Sequence, residues 1–505
     1  VSYSDLPSAL LLVAVSVCLW VWTVSRWRWW HYWRVRGVPC LRPVLPIVGN
    51  MYDLLLLRSL PDISGRIYEA TRGLPYVGIY ACHTPVLFVR DLDLVVRMCV
   101  RDFDHFEDRG FHSNSGDSLG RNLIHQNGRD WRFSRSKLSP CFNIARVKSM
   151  FPTMLRKSED LVEKFKKELV LKDRVEVWDV SLRYTTDVLA HCMMGVEAQS
   201  LRDREEFREI SKHMLGVRFI YHIFTGCFFP GLHRLFRIAV AKSCVTRFFH
   251  QIVQQVMDHR KDTSSEKKDV IQALIELKDE FETRSSDVQM PEIDNNFIVA
   301  QTFGFFLAGY ETPGNTLACS LFEVAKQPAI QQALYEEINR VLSKYDGEVT
   351  FDALQDMKYL RQIVTETLRK YTPLTLIFRR CTKDYTIPDT STVIQKGTLV
   401  LIPLKSIHED PDYHPDPATF DPERFSEENT ASRHMAAYMP FGIGPRFCPA
   451  VLYSHIEIRT ALVYLLRQFE VCVTTDTPAY LQPSPLDFLM VPKNGIPLAF
   501  KSRQS

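Results

Sequence analysis

The stretch Phe441-Gly442-Ile443-Gly444-Pro445-Arg446-Phe447-Cys448 places one cysteine behind a glycine-rich turn and just ahead of a helical pattern. Its two glycines permit a tight bend with positive φ and a close approach of the backbone. A helix beginning near Pro449 would point its free N–H groups and the positive end of its dipole toward the sulfur. Both effects favour a thiolate over a thiol, so the segment predicts that Cys448 serves as an anionic ligand.

A zinc site does not account for this cysteine. The chain has 12 cysteines, with no C-x-x-C pair and no closely spaced histidine to complete a tetrahedral site around Cys448. An ordinary buried thiol is the commoner role of a lone cysteine, but a single thiolate in such a loop suits haem iron. The stretch resembles the F-x-x-G-x-R-x-C-x-G signature of the cytochrome P450 family, the haem-thiolate monooxygenases. The resemblance implies that Cys448 is the axial iron ligand and that Phe441 and Arg446 contact the haem, with Ala450 in place of the last glycine.

A second match lies in the apolar segment from about Asp294 to Gln327. This segment predicts one long helix that stops before Pro328. Within it, Ala308 and Thr312 are four residues apart and therefore share one face of the helix. Gly309 leaves room on that face for a flat group to approach.

Pro313 follows this pair and cannot donate a hydrogen bond to the carbonyl of Gly309, so the helix is expected to open locally. A buried helix merely kinked by proline is the alternative that this segment alone leaves open. In the family that the chain resembles, the corresponding groove activates oxygen. The resemblance implies that Thr312 hydrogen-bonds dioxygen and that Glu311 belongs to the proton relay, so both are predicted to be catalytic.

Glu366 and Arg369 are three residues apart in an apolar helical pattern, where an ion pair needs further hydrogen bonds to be tolerated. A solvated surface pair is the other interpretation of such a spacing. Downstream, Pro422-Glu423-Arg424-Phe425 resembles the P-E-R-F segment of the family. The resemblance implies a structural network of Glu366, Arg369 and Arg424 that holds the cysteine loop in place.

Four side chains match positions that hold the two haem propionates in the family. Trp131 and Arg135 match its W-x-x-x-R helix, while Arg379 and Arg446 match positions on the other side of the haem. Buried carboxylates favour such donors, and the forked guanidinium of arginine most of all. Any one arginine could be a surface charge, but with Ala308 and the cysteine loop the set predicts a haem-binding site.

The N-terminal residues Leu6 to Ser25 carry no charge, and ~20 residues are enough to cross a bilayer as a helix. Tryptophans and arginines follow from Arg26 to Arg36, among them Trp33, and predict an interfacial belt with a positive, cytoplasmic flank. A cleaved signal peptide is disfavoured because the basic residues follow the apolar stretch rather than precede it. The predicted organisation is a membrane anchor at 1–25, a flank and proline-rich linker at 26–50, and a haem-binding catalytic domain at 51–505.

Composition is that of a chain with one large core. With 46% hydrophobic residues, 24% charged residues and a net charge of +3, it gives no indication of nucleic-acid binding. The periodic segments are mainly helical, as at 154–171 and 245–259, and short β-rich runs occur at 85–89 and 398–402. The predicted fold is mainly α: a single large helical cytochrome P450 domain with small β-sheets, plus one N-terminal transmembrane helix.

The resemblance implies a monooxygenase that uses O2 and NADPH-derived electrons to hydroxylate or epoxidise small hydrophobic compounds. Haem b is the implied cofactor. No glycine-rich nucleotide fingerprint follows a strand, so the electrons are expected from another protein. The resemblance implies that this partner is NADPH–cytochrome P450 reductase, with the need for cytochrome b5 left open. Arg129, Arg132 and Lys137 are expected to form a docking face, and the implied location is the cytoplasmic face of the endoplasmic reticulum membrane.

The segments 365–371, 378–385 and 420–429 look most like the microsomal insect branch of the family, which handles plant toxins and insecticides. Other xenobiotics and endogenous lipids or hormones stay within the expected substrate range. The segments implied to face substrate are 103–122, 214–235, 374–377 and 488–489. Seven phenylalanines are candidates to line the pocket. They are Phe219, Phe224, Phe228, Phe229, Phe303, Phe305 and Phe306.

Two other functions stay open at this point. Some proteins with this fold are isomerases or dehydratases that need no reductase, and their distal helix commonly lacks the acid and threonine found here as Glu311 and Thr312. Alternatively, the chain could be a membrane-tethered protein that binds haem or a ligand without reacting. Turnover without NADPH would favour the first alternative, and an absence of substrate-dependent NADPH consumption would favour the second.

Overall fold

The protein is described from a computed structural model that covers residues 16, 20, 31–45, 47–262, 269–284 and 293–503. Helices dominate these residues, as the sequence predicts. The α-helices are α1 (Leu60–Ala70), α2 (Leu92–Val96), α3 (Gly128–Leu138), α4 (Ile144–Leu171), α5 (Val177–Met194), α6 (Glu206–Lys212), α7 (Val217–Phe228), α8 (Pro230–Leu235), α9 (Ser243–Asp262), α10 (Val270–Arg284), α11 (Asn295–Gly309), α12 (Glu311–Lys326), α13 (Pro328–Leu342), α14 (Phe351–Asp356), α15 (Lys358–Lys370), α16 (Leu404–His408), α17 (Glu427–Ala431) and α18 (Val451–Gln468).

The strands are few and short. They are β1 (Tyr76–Ala81), β2 (Thr84–Val89), β3 (Val175–Glu176), β4 (Ile377–Arg380), β5 (Tyr385–Thr386), β6 (Val393–Ile394), β7 (Leu399–Ile402), β8 (Phe469–Val473) and β9 (Pro497–Ser502). They form a four-stranded sheet in the order β1-β2-β7-β4, a three-stranded sheet in the order β3-β9-β8, and the pair β5-β6. In the first sheet β2 and β7 run parallel and the other neighbours antiparallel, with Val86 opposite Leu399. Small sheets beside a large helical body agree with the predicted fold class.

Helices α4, α5, α12, α15 and α18 pack against one another and form the centre of the body. Each buries one apolar face there, and α12 is buried almost all round because it lies at the middle of the group. Of the site residues of the sequence analysis, Thr312 and Glu311 lie on α12, Glu366 and Arg369 on α15, and the cysteine loop just before α18, while the others lie on α3, on α11, on β4 and between α16 and α17. The helical core therefore positions the first of these groups directly.

The segment predicted as one helix from about Asp294 to Gln327 consists of α11 and α12, which are separated by Tyr310. The carboxylate of Asp294 caps α11 by accepting the N–H of Phe297 at 2.7 Å. The break falls where Pro313 cannot donate to the preceding turn. The carbonyl of Tyr310, at the break, accepts the hydroxyl of Thr185 on α5 at 2.6 Å. The helix is therefore interrupted where the sequence predicts a local opening, and a neighbouring helix bonds to the backbone at the break.

The predicted membrane helix at 6–25 lies outside the described residues except for Ser16 and Trp20. Within the part of the chain that the structure describes, no helix is both long and apolar enough to cross a membrane. Trp33 departs from the expected interfacial belt: it is 1% exposed and packs on Gly78, whose missing side chain leaves it room. The indole N–H of Trp33 donates to the carbonyl of Ile79 at 3.2 Å. This part of the predicted flank is thus joined to the first sheet.

Candidate active site

One cavity lies between the cysteine loop and the junction of α11 and α12. Its wall is mostly apolar, with polar and charged groups confined to a few places. The residues predicted to contact haem or dioxygen come together around it, and only Glu311 of that set is not part of its lining. Those that line it are Trp131, Arg135, Ala308, Thr312, Arg379, Phe441, Arg446 and Cys448.

The cysteine loop folds back on itself. The N–H of Cys448 donates to the carbonyl of Phe441 at 2.9 Å, and the N–H of Phe447 donates to that of Gly444 at 2.9 Å. Gly442 and Gly444 have φ of +76° and +74°, the left-handed conformation that glycine tolerates best. The sulfur of Cys448 accepts the N–H of Ala450 at 3.4 Å. The loop therefore presents one sulfur to the cavity on a rigid turn.

Two details of the cysteine loop differ from the sequence prediction. The following helix begins at Val451, so Pro449 precedes it and does not occupy its first turn. Burial raises the pKa of the Cys448 thiol above its ordinary value. The N–H of Ala450 and the charges of Arg135 and Arg109 lower this pKa, but by less than burial raises it. Without a metal the thiol form prevails, and a bound cation would be needed to displace its proton.

Gly444 is fixed by more than its dihedral angle. A Cβ at this position would overlap the carbonyl oxygen of Cys99, so alanine would force the loop and its neighbour apart. We expect Gly444→Ala to lower the free energy of unfolding by about 1–3 kcal/mol more than a control substitution that introduces backbone strain without a clash. The variant should also lose haem on purification. The control is Gly347→Ala, because Gly347 has φ of +82° with no atom within 4 Å of an added Cβ. Urea unfolding of both variants checks this, and equal costs would contradict it.

Four arginines line the cavity, and among the described residues only Arg446 has a carboxylate within 4 Å, that of Asp108 at 3.9 Å. Arg446 is 3% exposed, donates to the carbonyls of Glu107 at 2.7 Å and Gln126 at 2.9 Å, and stacks 4.0 Å from the ring centre of Trp131. Burial first, and then repulsion from Arg109 and Arg379, lower the pKa of Arg446 to about 7. One carboxylate at this distance leaves most of the positive charge of the cluster uncompensated.

Two donors in this cluster point to the missing charge. Arg379 Nε and Arg446 Nη1 are buried and find no hydrogen-bond partner among the described residues. Buried guanidinium groups favour carboxylates as partners. A flat group that carries two carboxylates and an iron would satisfy these donors and the Cys448 sulfur together. The residues present therefore fit haem.

Arg109 belongs to this cluster, although the sequence analysis does not select it. Its guanidinium donates to the carbonyls of Ile124 and Arg446 at 3.3 Å and lines the cavity. Burial and the nearby charge of Arg379 lower the pKa of Arg109 to about 10. Its position within Glu107-Asp108-Arg109 suggests a solvated charged run, so no local signal marks it.

The helix junction forms a further part of the cavity wall. The hydroxyl of Thr312 donates to the carbonyl of Ala308 at 2.7 Å, and both residues border the cavity together with Gly309. Ala308 is exposed only because the cavity lies beside it. The shared face predicted for Ala308 and Thr312 thus points into the cavity.

Glu311 lies on a different face of α12 and is 6% exposed. The hydroxyl of Tyr310 donates to its carboxylate at 3.4 Å. Burial first, and then the negative charge of Asp487, raise the pKa of Glu311 to about 8. The carboxyl group is therefore protonated at neutral pH and gives up its proton as the pH rises through about 8.

The structure brings Glu366, Arg369 and Arg424 together. Arg369 forms a fork on the carboxylate of Glu366, with N–O distances of 2.7 and 2.8 Å, and both side chains are fully buried. Arg424 approaches the same carboxylate at 3.5 Å. Arg369 also donates to the carbonyls of His408 at 2.9 Å and Pro417 at 2.8 Å. The buried charges are thereby hydrogen-bonded to the segment that precedes the cysteine loop.

Gln301 on α11 is a further residue that the sequence analysis misses. It is 1% exposed, and its amide oxygen accepts the N–H of Leu123 at 3.0 Å while its amide N–H donates to the carbonyl of Arg121 at 2.9 Å. Gln301 thereby fixes the chain around residues 121–123 to α11. This segment places Leu123 and Ile124 in the cavity wall.

Of the seven candidate phenylalanines, Phe219 and Phe305 border the cavity. Phe111 and Phe488 do so as well, from segments implied to face substrate. The other five candidates pack elsewhere, against Phe249 or against one another. They are Phe224, Phe228, Phe229, Phe303 and Phe306.

The chain is similar to known proteins along nearly its whole length. A family model described as Cytochrome P450 matches residues 39–499. The probable cytochrome P450 6a13 of Drosophila melanogaster is 36% identical over 97% of this chain and 98% of that protein. Cytochrome P450 6k1 of Blattella germanica is 34% identical over 93% and 92% of the two chains, and cytochrome P450 6B6 of Helicoverpa armigera is 32% identical over 93% and 94%.

Proposed function

The chain belongs to the cytochrome P450 family and is a monooxygenase with insect relatives; from this premise we propose that it hydroxylates or epoxidises small hydrophobic compounds with NADPH-derived electrons. Plant toxins, insecticides and other xenobiotics are the proposed substrates, with endogenous lipids or hormones in the same chemical range. The observation that carries the proposal is one cavity that both Cys448 and Thr312 line.

The proposed roles follow from where each side chain lies. Cys448 would bind the haem iron, while Trp131, Arg135, Arg379 and Arg446 would hold the propionates. When bound, haem supplies the activation of dioxygen and the insertion of one of its oxygen atoms into the substrate. The apolar walls would orient the substrate and exclude bulk water, which strengthens every polar interaction inside.

Thr312 and Glu311 are proposed to deliver protons. The Thr312 hydroxyl is bonded to Ala308, so it can turn from that carbonyl and donate into the cavity. Glu311 is protonated at neutral pH because its pKa is raised to about 8, and it would reach Thr312 by a change of rotamer. The acid and the alcohol would thus act in series.

Electrons are proposed to come from NADPH–cytochrome P450 reductase at a face near α3. Of the three cations expected to form the docking face, Arg132 is already paired with acidic side chains. It forms ion pairs with Asp104 and Glu107 at 2.6 Å each. Arg129 stays exposed on the same helix, and the Lys137 ammonium lies 5.3 Å from the ring centre of Phe281. We propose the endoplasmic reticulum membrane as the location, with the catalytic domain on its cytoplasmic face.

The function is tested by turnover of the full chain reconstituted with reductase and a panel of apolar toxins and insecticides. We expect substrate-dependent NADPH consumption with one oxygen atom from labelled dioxygen in the product. The substrates would be chosen by spectral titration of the ferric protein. Product formation without NADPH, or binding without product for every compound of the panel, would contradict the proposal.

Thr312→Ala is expected to uncouple this reaction. Without the hydroxyl, proton delivery slows, so reducing equivalents end in hydrogen peroxide and the yield of product per NADPH falls roughly 10-fold. Thr312→Ser is the matched control, since it keeps a hydroxyl at the same position and should retain most of the coupling. Peroxide and product are measured in the same reaction. Equal yields from the alanine and serine variants would remove Thr312 from the relay.

A further inference from the structure

One part of the cavity wall belongs to a loop between β8 and β9. The loop is closed at its base, where the N–H of Ser484 donates to the carbonyl of Val491 at 2.8 Å. Phe488 and Leu489 lie within the loop, and both line the cavity. A loop that is closed at its base still needs a bond nearer its tip to fix the position of the tip.

Asn315 on α12 supplies such a bond. It is 2% exposed, and its amide N–H donates to the carbonyl of Met490 at 2.7 Å. Met490 is buried and directly follows Leu489, and its own N–H donates to the carbonyl of Pro373 at 2.9 Å. Pro373 also lines the cavity. The backbone of Met490 therefore joins the loop to α12 and to a second part of the cavity wall.

The helix that holds the loop also carries a residue proposed to deliver protons. Asn315 is three residues after Thr312, so the two side chains are neighbours on the surface of α12. Thr312 lines the cavity, and Phe488 lines it from the loop and packs on Phe219 with the ring centres 5.4 Å apart. The position of this aromatic wall relative to Thr312 is thus fixed through a buried hydrogen bond.

This bond has no ready substitute. Both Asn315 and Met490 are buried, so loss of the amide would leave the Met490 carbonyl without this donor and away from bulk water. The loop would then keep its base and its bond to Pro373, but its tip would no longer be held to α12. Removal of the amide is therefore expected to move the cavity wall.

We propose that Asn315 is a positioning residue that sets how an apolar compound lies in the cavity, by holding Phe488 and Leu489 in place relative to Thr312. Asn315 does not line the cavity, so it acts through the loop and not by contact with the compound. The proposal rests on the proposed monooxygenase function and deepens it, because the orientation of a bound compound decides which of its atoms is oxidised.

The first measurement is a spectral titration of the ferric protein with imidazole and with 4-phenylimidazole. Both ligands bind haem iron through an imidazole nitrogen, and only the second adds a phenyl group that needs the apolar walls. We expect Asn315→Leu to lower the ratio of the two affinities, 4-phenylimidazole over imidazole, about tenfold, because part of the binding energy is then used to order the wall. General damage to the haem site would weaken both ligands equally.

Ser320→Ala is the matched control. Ser320 is a fully buried polar residue of the same helix, and it donates to the carbonyl of Thr316 at 2.8 Å and to the hydroxyl of Thr367 at 3.1 Å. This variant should keep the natural ratio. Asn315→Thr is a second, smaller change: its hydroxyl lies one bond nearer the backbone than the amide and does not reach Met490, so it should lower the ratio as well.

Asn315→Thr decides the matter if Asn315→Leu does not bind haem. A natural ratio in the Asn315 variants would overturn the proposal. An equal loss of affinity for both ligands, or the same fall of the ratio in Ser320→Ala, would overturn it too.

The second measurement is the set of products that the reconstituted system forms from one substrate. We expect the Asn315 variants to change the ratio between oxidised positions by about fivefold, with Ser320→Ala at the natural ratio. A natural product ratio in both Asn315 variants would overturn the proposal even if the ligand affinities change. If the natural protein forms no product from any compound, the proposed function fails, and the ratio of the two imidazole affinities then decides the role of Asn315 by itself.

Discussion

Cys448→Ser is expected to abolish the red-shifted Soret band that a sulfur-ligated ferrous carbonyl complex gives. The sulfur of Cys448 is held by the loop bonds to Phe441 and Ala450 at one wall of the cavity. A serine hydroxyl in the same place is a poor ligand for ferrous iron and supplies no sulfur. Monooxygenase activity should be lost completely, because Cys448 is the residue proposed to hold the haem iron, and its thiolate would support the oxygen chemistry that haem supplies.

Cys244→Ser is the control for this change, because Cys244 is a free cysteine on the surface. It should keep both the red-shifted band and the activity. Haem content is measured for each variant, so loss of haem is distinguished from loss of the sulfur ligand. A sulfur-type spectrum in Cys448→Ser would remove Cys448 from its proposed role, and with it the assigned chemistry.

Arg369→Met is expected to lower the free energy of unfolding by about 3–5 kcal/mol. The variant leaves the carboxylate of Glu366 with its side chain fully buried and without its main partner. Arg424 is 3.5 Å from that carboxylate and cannot replace a forked guanidinium. The bonds from Arg369 to the carbonyls of His408 and Pro417 are lost as well. Urea unfolding followed by circular dichroism, together with haem retention, measures the effect.

The control for Arg369→Met is Lys358→Met at the start of the same helix. Lys358 pairs with Glu427, but both side chains are more than 60% exposed, so water screens the pair. This variant is expected to unfold close to the natural protein. A similar decrease in the free energy of unfolding for the two variants would show that the buried pair contributes no more to stability than the exposed pair.

The features that the sequence predicted well are those determined by residues close to them in the chain. The opening between α11 and α12 follows from Pro313, and the start of α11 follows from the capping side chain of Asp294. The face shared by Ala308 and Thr312 follows from helical spacing. The helices at 154–171 and 245–259 lie within α4 and α9 as observed, for the same reason.

What sequence did not predict depends on distant parts of the chain. Arg109 enters the site because the fold brings it to Arg446, which is 337 positions away. The protonation of Cys448 depends on whether burial outweighs the neighbouring N–H and charges, and a pattern carries no such magnitudes. Five of the seven candidate phenylalanines pack away from the cavity, since hydrophobicity does not distinguish a pocket wall from a core.

The contact between Trp33 and Gly78 limits how far the N-terminus can be trimmed. The indole lies directly over Gly78 of the first sheet, in the space that a Cβ at this glycine would take. Removal of residues 1–30 would leave this indole in place. A shorter protein that begins after residue 33 would lack the indole and expose β1 to water at Gly78. Preparation of a truncated form for crystallisation or assay is therefore best stopped ahead of residue 31.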